Sequence, residues 1–316
     1  HLVVCNGHHW LPRFPSYPGN FTGEFLHSHD FKKAAPFKDK RVLVIGGGNS
    51  ACDVAVETSR VSEKTTISWR RGYRIVPKFL FGKPSDIVAS RFTFLPTWLK
   101  FFLSELSVKI FSGSNKNYGL PEPEIGPFES HGTVSGEFLL RAGSGDICMK
   151  PGIDRLDGQY VVFTDGSREE VGAIIWATGY DIKFPFFNDP AFQADADNRP
   201  PPLFKRIMKP GVPDLFYMGL AQPLPTLVNF AEQQSKLVAA YLAGDYAPPP
   251  EAEMQRIIAT DEDYYTGQYY AARRHTIQLD FDHYRRALKT ELARGKKRAA
   301  AFGNALPVPA RDVEPA

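Results

Sequence analysis

Six residues, Gly46-Gly47-Gly48-Asn49-Ser50-Ala51, fit the pattern G-x-G-x-x-A and follow directly on the short apolar run Arg41–Ile45. A turn of this kind suits phosphate chemistry. Gly46 permits the tight turn, Gly48 lets backbone amides approach a pyrophosphate, and the small Ala51 lets the next helix pack closely with its N-terminus facing the negative charge. Gly46, Gly48, Asn49, Ser50 and Ala51 are therefore expected to hold a dinucleotide, against the alternative of a structural strand–helix turn. An NAD site wants a carboxylate at the end of the second strand. Here that strand closes in Ser68-Trp69-Arg70-Arg71-Gly72. Two guanidinium groups suit a 2′-phosphate through charge-assisted hydrogen bonds, so Arg70 and Arg71 point to NADP. Trp69 or Arg70 could stack on the adenine. The competing reading is a pair of surface arginines balancing Asp53 or Glu57.

His27 and His29 share one loop, but no Asp, Glu or Cys joins them at ligand spacing, so no metal is expected. Neither a Ser–His–Asp set nor a carboxylate pair stands out.

Arg41–Ile45 reads as a strand, Asn49 to Arg60 as a helix and Lys64–Trp69 as a second strand. That order opens a doubly wound α/β domain. Residues 85–127 read as an irregular insertion containing a helix. On it Leu99, Phe102, Leu103, Leu106 and Ile110 share one face, expected to pack in a core or against another domain, with a membrane-surface or substrate-entry face as the alternative. Tyr160–Thr164, closed by the turn Asp165-Gly166, and Gly172–Trp176 read as strands. A final helix is expected over Asn229 to Leu242 with Gly244 as its stop. Beyond Asp261 no periodicity is visible. Val3–Pro15 and Ile174–Pro185 echo each other, each an apolar strand followed by a glycine and a proline-bearing extended stretch, which suggests paired crossings between two domains.

With 316 residues, 43% hydrophobic and 23% charged, the chain has room for two globular domains. Its formal charge of +3 gives no reason to expect nucleic acid, and Arg294–Arg298 reads as a solvated basic tail. Three cysteines, Cys5, Cys52 and Cys148, without C-x-x-C spacing fit a reducing, cytoplasmic setting better than a disulfide framework. No transmembrane segment is visible. His1–Cys5 reads as a buried strand, and the chain opens in it without a methionine, so an upstream segment is expected.

Phe21–Phe31 reads F-x-G-x-x-x-H-x-x-x-F, through Phe21, Gly23, His27 and Phe31. This resembles the fingerprint of class B flavoprotein monooxygenases. Phe31 at its close resembles the flavin-containing monooxygenases, where Baeyer–Villiger enzymes carry Trp. Gly48-Asn49-Ser50, Ser68-x-Arg70-x-Gly72 and Ala177-Thr178-Gly179-Tyr180 resemble further motifs of the same family. Cys5-Asn6-Gly7 stands where the family often has ATG. Gly219–Pro225, with Gln222, followed by Glu232-Gln233-Gln234, resembles the family's late segment near the flavin.

The resemblance implies an α/β two-dinucleotide-binding-domain flavoprotein. A Rossmann-type NADP-binding domain would span 32–180, between an interdomain remnant at 1–31 and the carboxy-terminal part of a FAD-binding domain at 181–301, with a disordered tail at 302–316. By resemblance Gly46, Gly48, Asn49, Ser50, Ala51, Ser68, Arg70 and Arg71 meet NADP, while Ala177, Thr178, Gly179 and Gln222 lie near the cofactors. The implied activity uses FAD, NADPH and O2 to oxygenate a small soft nucleophile, an amine nitrogen or a sulfide sulfur, through a C4a-hydroperoxyflavin. The family's first βαβ unit, with its own G-x-G-x-x-G for FAD, is not found here, so this chain alone is expected to hold FAD poorly and to be inactive. A bare NADP-binding module, a Baeyer–Villiger enzyme and an N-hydroxylating relative are the rivals. The oligomeric state, a homo-oligomer included, is left open.

Overall fold

The computed structural model describes residues 1–80, 82–90, 97–123, 132–224, 227–266 and 276–302. Parts of the expected insertion, Pro225 of the late segment and the tail from 303 lie outside them. The chain divides into two compact units, His9–Asp181 and His1–His8 with Ile182–Ala316. It passes between them after His8 and after Asp181, within the two segments that echo each other. The first crossing precedes Phe21, so residues 9–31 belong to the same unit as the glycine turn.

The chain starts with β1 (Leu2–Val4) and then enters the central unit. There β2 (Leu11–Pro12), β3 (Gly19–Phe21), β4 (Glu24–His27), β5 (Arg41–Ile45), α1 (Asn49–Thr58), β6 (Lys64–Ser68) and β7 (Ile75–Val76) follow. A small hairpin, β8 (Phe79–Leu80) and β9 (Lys83–Pro84), leads to α2 (Ser85–Ser90) and α3 (Thr97–Ser112). The unit continues with β10 (Thr133–Val134), α4 (Phe138–Gly143), β11 (Ile147–Lys150), β12 (Ile153–Gly158) and β13 (Tyr160–Phe163). It ends with β14 (Arg168–Glu170), β15 (Ala173–Trp176) and β16 (Tyr180–Asp181).

Five strands form a parallel Rossmann-type sheet in the order β11-β6-β5-β15-β4. The run Arg41–Ile45 is apolar at every position but the first because both faces of its strand are covered. Val42 and Val44 pack with Ala51, Val54 and Ala55 of α1 and with Phe138 of α4. Leu43 and Ile45, on the other face, pack on Ile153 of β12 and on Val161 and Phe163 of β13. β12, β13 and β14 are an antiparallel meander, and β3 joins its edge in parallel.

The expected core face of α3 is not in a core. Phe102, Leu103, Leu106 and Ile110 are exposed, and Val108 is the buried residue of that helix among those described. A periodic apolar stripe fixes which residues share a face but not what covers it.

In the other unit β1 pairs in parallel with β17 (Leu215–Tyr217), and β18 (Gln222–Leu224) pairs in parallel with β19 (Gln278–Asp280). Only Val4 of the first strand is buried, and Leu2 and Val3 are exposed, so the expectation of a buried strand holds for one residue in three. Helix α5 (Leu227–Leu242) ends before Gly244, whose φ of 81° is the left-handed stop. Two helices follow it, α6 (Glu251–Thr266) and α7 (Phe281–Phe302), so α5 is not the last. The sequence of α7 shows no clear apolar period because its buried stripe is Tyr284, Leu288, Glu291, Gly295 and Ala299, of which two are not apolar. Glu291 accepts a hydrogen bond from Tyr246 and pairs with Arg298, and a Cβ on Gly295 would meet the Tyr246 ring at 2.0 Å. Arg298, which also donates to the Ala247 carbonyl, is therefore no part of a solvated tail.

Candidate dinucleotide site

Strand order reverses between β5 and β15, since β5 leads through α1 to β6 on one side while β15 arrives last on the other. Open α/β sheets bind ligands outside the carboxyl ends of strands at such a point. Gly46–Ala51 leaves β5 there, Ser68–Arg71 leaves β6 and Ala177–Gly179 leaves β15. The sheet thus brings the two glycine-bearing turns and the arginines to one edge. Gln222 lies in the other unit.

The glycines of the loop answer to different constraints. Gly46 has φ 133°, and a Cβ on it would sit 2.3 Å from the Ala177 carbonyl oxygen. A Cβ on Gly47 would strike the Tyr73 ring at 2.0 Å. At Gly48, with an ordinary φ of −85°, a Cβ would meet no atom within 4 Å. The space beside Gly48 is open. Helix α1 begins at Asn49 without a side-chain cap, and its first intrahelical bond runs from the Cys52 amide to the Gly48 carbonyl. The amides of Asn49, Ser50 and Ala51 precede that bond and have no helical acceptor. Ala51 is fully buried against the sheet, while Asn49 and Ser50 are exposed.

The Asn49 side chain has a structural task, for its Oδ1 accepts the Val134 amide at 2.8 Å. The Ser68 hydroxyl is likewise engaged, donating to the Pro151 carbonyl at 2.7 Å from a buried position. Arg70 is exposed and makes no hydrogen bond or ion pair with a described residue, and Arg71 is half-buried beside the Tyr73 ring. Arg70 opposes the rise that burial imposes on the Tyr17 pKa. Glu57 pairs with Arg60, so Arg70 does not balance it. Trp69 is not available to adenine, being 2% exposed and stacked on Phe138 at 5.6 Å, where it serves the core.

The β15 end is clasped. Ala177 N donates to the Ile45 carbonyl, Thr178 Oγ1 donates to the Arg13 carbonyl, and Arg13 Nη2 returns a bond to the Thr178 carbonyl at 2.8 Å. β2 and β16 continue this clasp as an antiparallel pair.

The fingerprint residues are spread over the same unit. Phe21 packs in the meander-side core, and a Cβ on Gly23 would lie 2.5 Å from its ring and 2.7 Å from the Gly172 carbonyl. His27 ends β4 fully buried, with its Nδ1 accepting the His29 amide at 3.1 Å. Burial lowers its pKa, with the Gly179 backbone acting the other way. A neutral ring whose Nδ1 accepts must carry its proton on Nε2. Tyr180 meets this ring edge-on at 5.0 Å, and Phe31 stacks on Phe37 at 5.8 Å. Among the described residues no group of His, Cys, Asp and Glu could hold a metal. Tyr73, Arg13 and Thr133, whose hydroxyl donates to the Gly47 carbonyl, are site residues that no local sequence signal marks.

The family model for flavin-binding monooxygenase-like proteins matches residues 1–297. Flavin-containing monooxygenase 5 of Oryctolagus cuniculus is 33% identical over 296 residues, covering 89% of this chain and 54% of that protein. The chain thus spans about half the length of the curated relatives it matches. Two solved structures share the fold. One is S-allyl-L-cysteine S-oxygenase from Allium sativum, with a TM-score of 0.60, 22% identity and coverage of 96% of this chain and 59% of that one. The other is an oxidized steroid monooxygenase bound to NADP, with a TM-score of 0.64, 16% identity and coverage of 94% and 74%.

Proposed function

This chain belongs to the flavin-binding monooxygenase-like family, and on that premise we propose that its central unit binds NADP(H) on behalf of a flavin-dependent monooxygenase. The whole protein would use NADPH and O2 to oxygenate a small molecule at a soft nucleophilic atom, an amine nitrogen or a sulfide sulfur. The observation that carries this reading is the open space at Gly48, on a capless helix start at the switch point of a parallel sheet, with the exposed Arg70 at the end of the adjacent strand.

Each group then has a task. The amides of Gly48 to Ala51 receive the pyrophosphate, aided by the positive end of the α1 dipole. Arg70 and Arg71 neutralise the 2′-phosphate as charged hydrogen-bond donors. Ser68 holds the β6 end in place through Pro151. Ala177, Thr178 and Gly179, clasped by Arg13, fix the opposite wall of the crevice.

FAD finds less here. Among the described residues there is one glycine-rich strand–helix turn, and it is assigned to NADP. In the other unit Gln222 and Gln278 face each other in register, and both side-chain polar atoms of Gln278 are buried without a partner among the described residues. A carboxamide left with a donor and an acceptor unmet would suit the imide edge of a flavin. FAD supplies the redox and oxygen chemistry when bound; the residues of this chain orient it and exclude water. The three cysteines are free, consistent with a reducing compartment, and we place the protein in the cytoplasm. No described helix is long and apolar enough to cross a membrane.

Titration calorimetry of the chain with NADP+ and NAD+ tests the reading. NADP+ should bind more tightly than NAD+ by about tenfold or more, the worth of charge-assisted bonds to one phosphate. Replacing Arg70 and Arg71 by Ala should erase that preference and leave NAD+ binding intact. Indifference of the unaltered chain to both nucleotides would overturn it.

A further inference from the structure

Thr133 lies far from the glycine loop in sequence, and its side chain reaches the middle of that loop. It is 2% exposed, and its hydroxyl donates to the Gly47 carbonyl at 2.9 Å. The segment that carries it is held on two sides. Towards β7, Thr133 N donates to the Arg74 carbonyl at 2.8 Å and Ser135 N to the Val76 carbonyl at 3.2 Å. Towards α1, the Val134 amide donates to Asn49 Oδ1. Thr133 is thus a fixed donor, not a rotor on a loose loop.

The peptide between Gly47 and Gly48 is planar and trans, so the Gly47 carbonyl and the Gly48 N–H point in opposite directions. A hydroxyl that holds the carbonyl therefore aims the amide. The Gly48 N–H is turned away from Thr133 and finds no acceptor among the described residues. Two adjacent glycines would otherwise let this peptide rotate, because neither has a Cβ to restrict it. We propose that Thr133 is a positioning residue for the pyrophosphate site, locking the Gly47–Gly48 peptide in the orientation that presents the Gly48 amide to NADP(H). The proposal rests on the NADP reading above and adds to it a residue outside the glycine motif. The benefit is preorganisation, since the loop need not lose peptide-flip freedom when the ligand arrives.

A pair of ligands separates this role from general damage to the fold. NADP+ carries both the pyrophosphate and the 2′-phosphate, whereas adenosine 2′-monophosphate carries only the latter. In calorimetric titrations of the whole chain, Thr133→Val, which keeps shape and removes the hydroxyl, should weaken NADP+ by about tenfold. Its affinity for adenosine 2′-monophosphate should not change. Thr133→Ser, which restores the hydroxyl, should return NADP+ affinity to that of the unaltered chain. Equal loss of both ligands in Thr133→Val, or no rescue by Ser, would show a purely structural role and overturn the proposal. Unchanged NADP+ affinity in Thr133→Val would overturn it as well while leaving the NADP reading standing. If the unaltered chain ignores NADP+, that reading falls and takes this one with it.

Discussion

Replacing Gly46 and Gly48 in turn by alanine should separate folding from binding within one loop. At Gly46 an added Cβ meets the Ala177 carbonyl oxygen at 2.3 Å, a backbone atom just past the end of the neighbouring strand, and the φ of 133° is one that alanine disfavours. The dihedral alone costs about 1–3 kcal/mol, and relieving the clash means moving β15 against β5, so a total near or above 3 kcal/mol is expected. For a unit of this size each kcal/mol is about 2–4 °C of melting temperature, which puts Gly46→Ala about 6–12 °C below the unaltered chain. Gly48 differs on both counts, with φ −85° and no atom within 4 Å of a Cβ. Alanine there gains about 0.4–1 kcal/mol from the stiffer unfolded chain and loses a similar amount as a poorer N-cap, so stability should hold within about 1 kcal/mol. The methyl group would, however, occupy the space where a pyrophosphate must approach. Gly48→Ala should fold normally and bind NADP+ at least about tenfold more weakly. Thermal unfolding followed by circular dichroism, with calorimetric titration of the same samples, reads both quantities. If the two variants melt alike, the assignment of separate constraints is wrong. If Gly48→Ala binds NADP+ as well as the parent does, the loop is a structural turn.

Three further outcomes follow from packing and charge. Gly23→Ala should lower stability by about 2–3 kcal/mol, because its Cβ would lie 2.5 Å from the Phe21 ring and 2.7 Å from the Gly172 carbonyl; adding Phe21→Ala should bring no full recovery in urea unfolding, since the carbonyl stays. Gln234, fully buried, accepts the Gly219 amide and donates to the Arg206 carbonyl, so Gln234→Leu should cost about 2–5 kcal/mol by orphaning both groups, whereas a loss under about 1 kcal/mol would refute that account. Burial holds His9, His27 and His283 below the ordinary imidazole value of 6.5. As pH falls through 6.5 the unfolded chain takes up protons first, so unfolding free energy should decline from there and level off below the folded-state values. His27→Phe should flatten that decline between about pH 7.5 and 5.5 in urea midpoints, and an unchanged slope would mean that His27 is not the buried neutral ring described.

The glycine turn was legible because all its determinants are local. A buried strand, a glycine with a left-handed requirement and a helix start lie within about a dozen residues, and each constrains the next. The paired crossings could be read for the same reason, as two short segments of similar shape. What could not be read depends on contacts between distant parts of the chain. Trp69 looks like a stacking surface in sequence, and only the position of Phe138 shows it to be core. The bond from the Val134 amide to Asn49 Oδ1 likewise depends on a residue far away in sequence. Thr133 has no signal at all, since it sits in a two-residue strand after a stretch rich in proline and glycine. Helix α7 lacks a clear apolar period because Tyr284, Glu291 and Gly295 share its buried face, which blurs the pattern that marks a helix.

The fingerprint Phe21, Gly23, His27 and Phe31 illustrates how a diagnostic motif can consist of supports, with no reactive group among them. Phe21 and Gly23 stand two apart on an extended segment, so they share a side, and the aromatic ring excludes any side chain at 23. That fit sets where β4 begins its pairing with β15, in the register Glu24 to Ala173 through His27 to Trp176. His27 then closes the strand, a buried ring whose Nδ1 turns the chain by accepting the His29 amide. Phe31 anchors the exit on Phe37 beneath the opposite face of the sheet. Every member is consumed in fixing an edge strand, and the neighbour so fixed is the one whose end, Ala177 to Gly179, faces the glycine loop. The spacing of the motif is therefore set by strand length and sheet register. A motif set by register tolerates changes of substrate but not of backbone path, which is why four residues with no evident reactivity can mark a family of oxygenases.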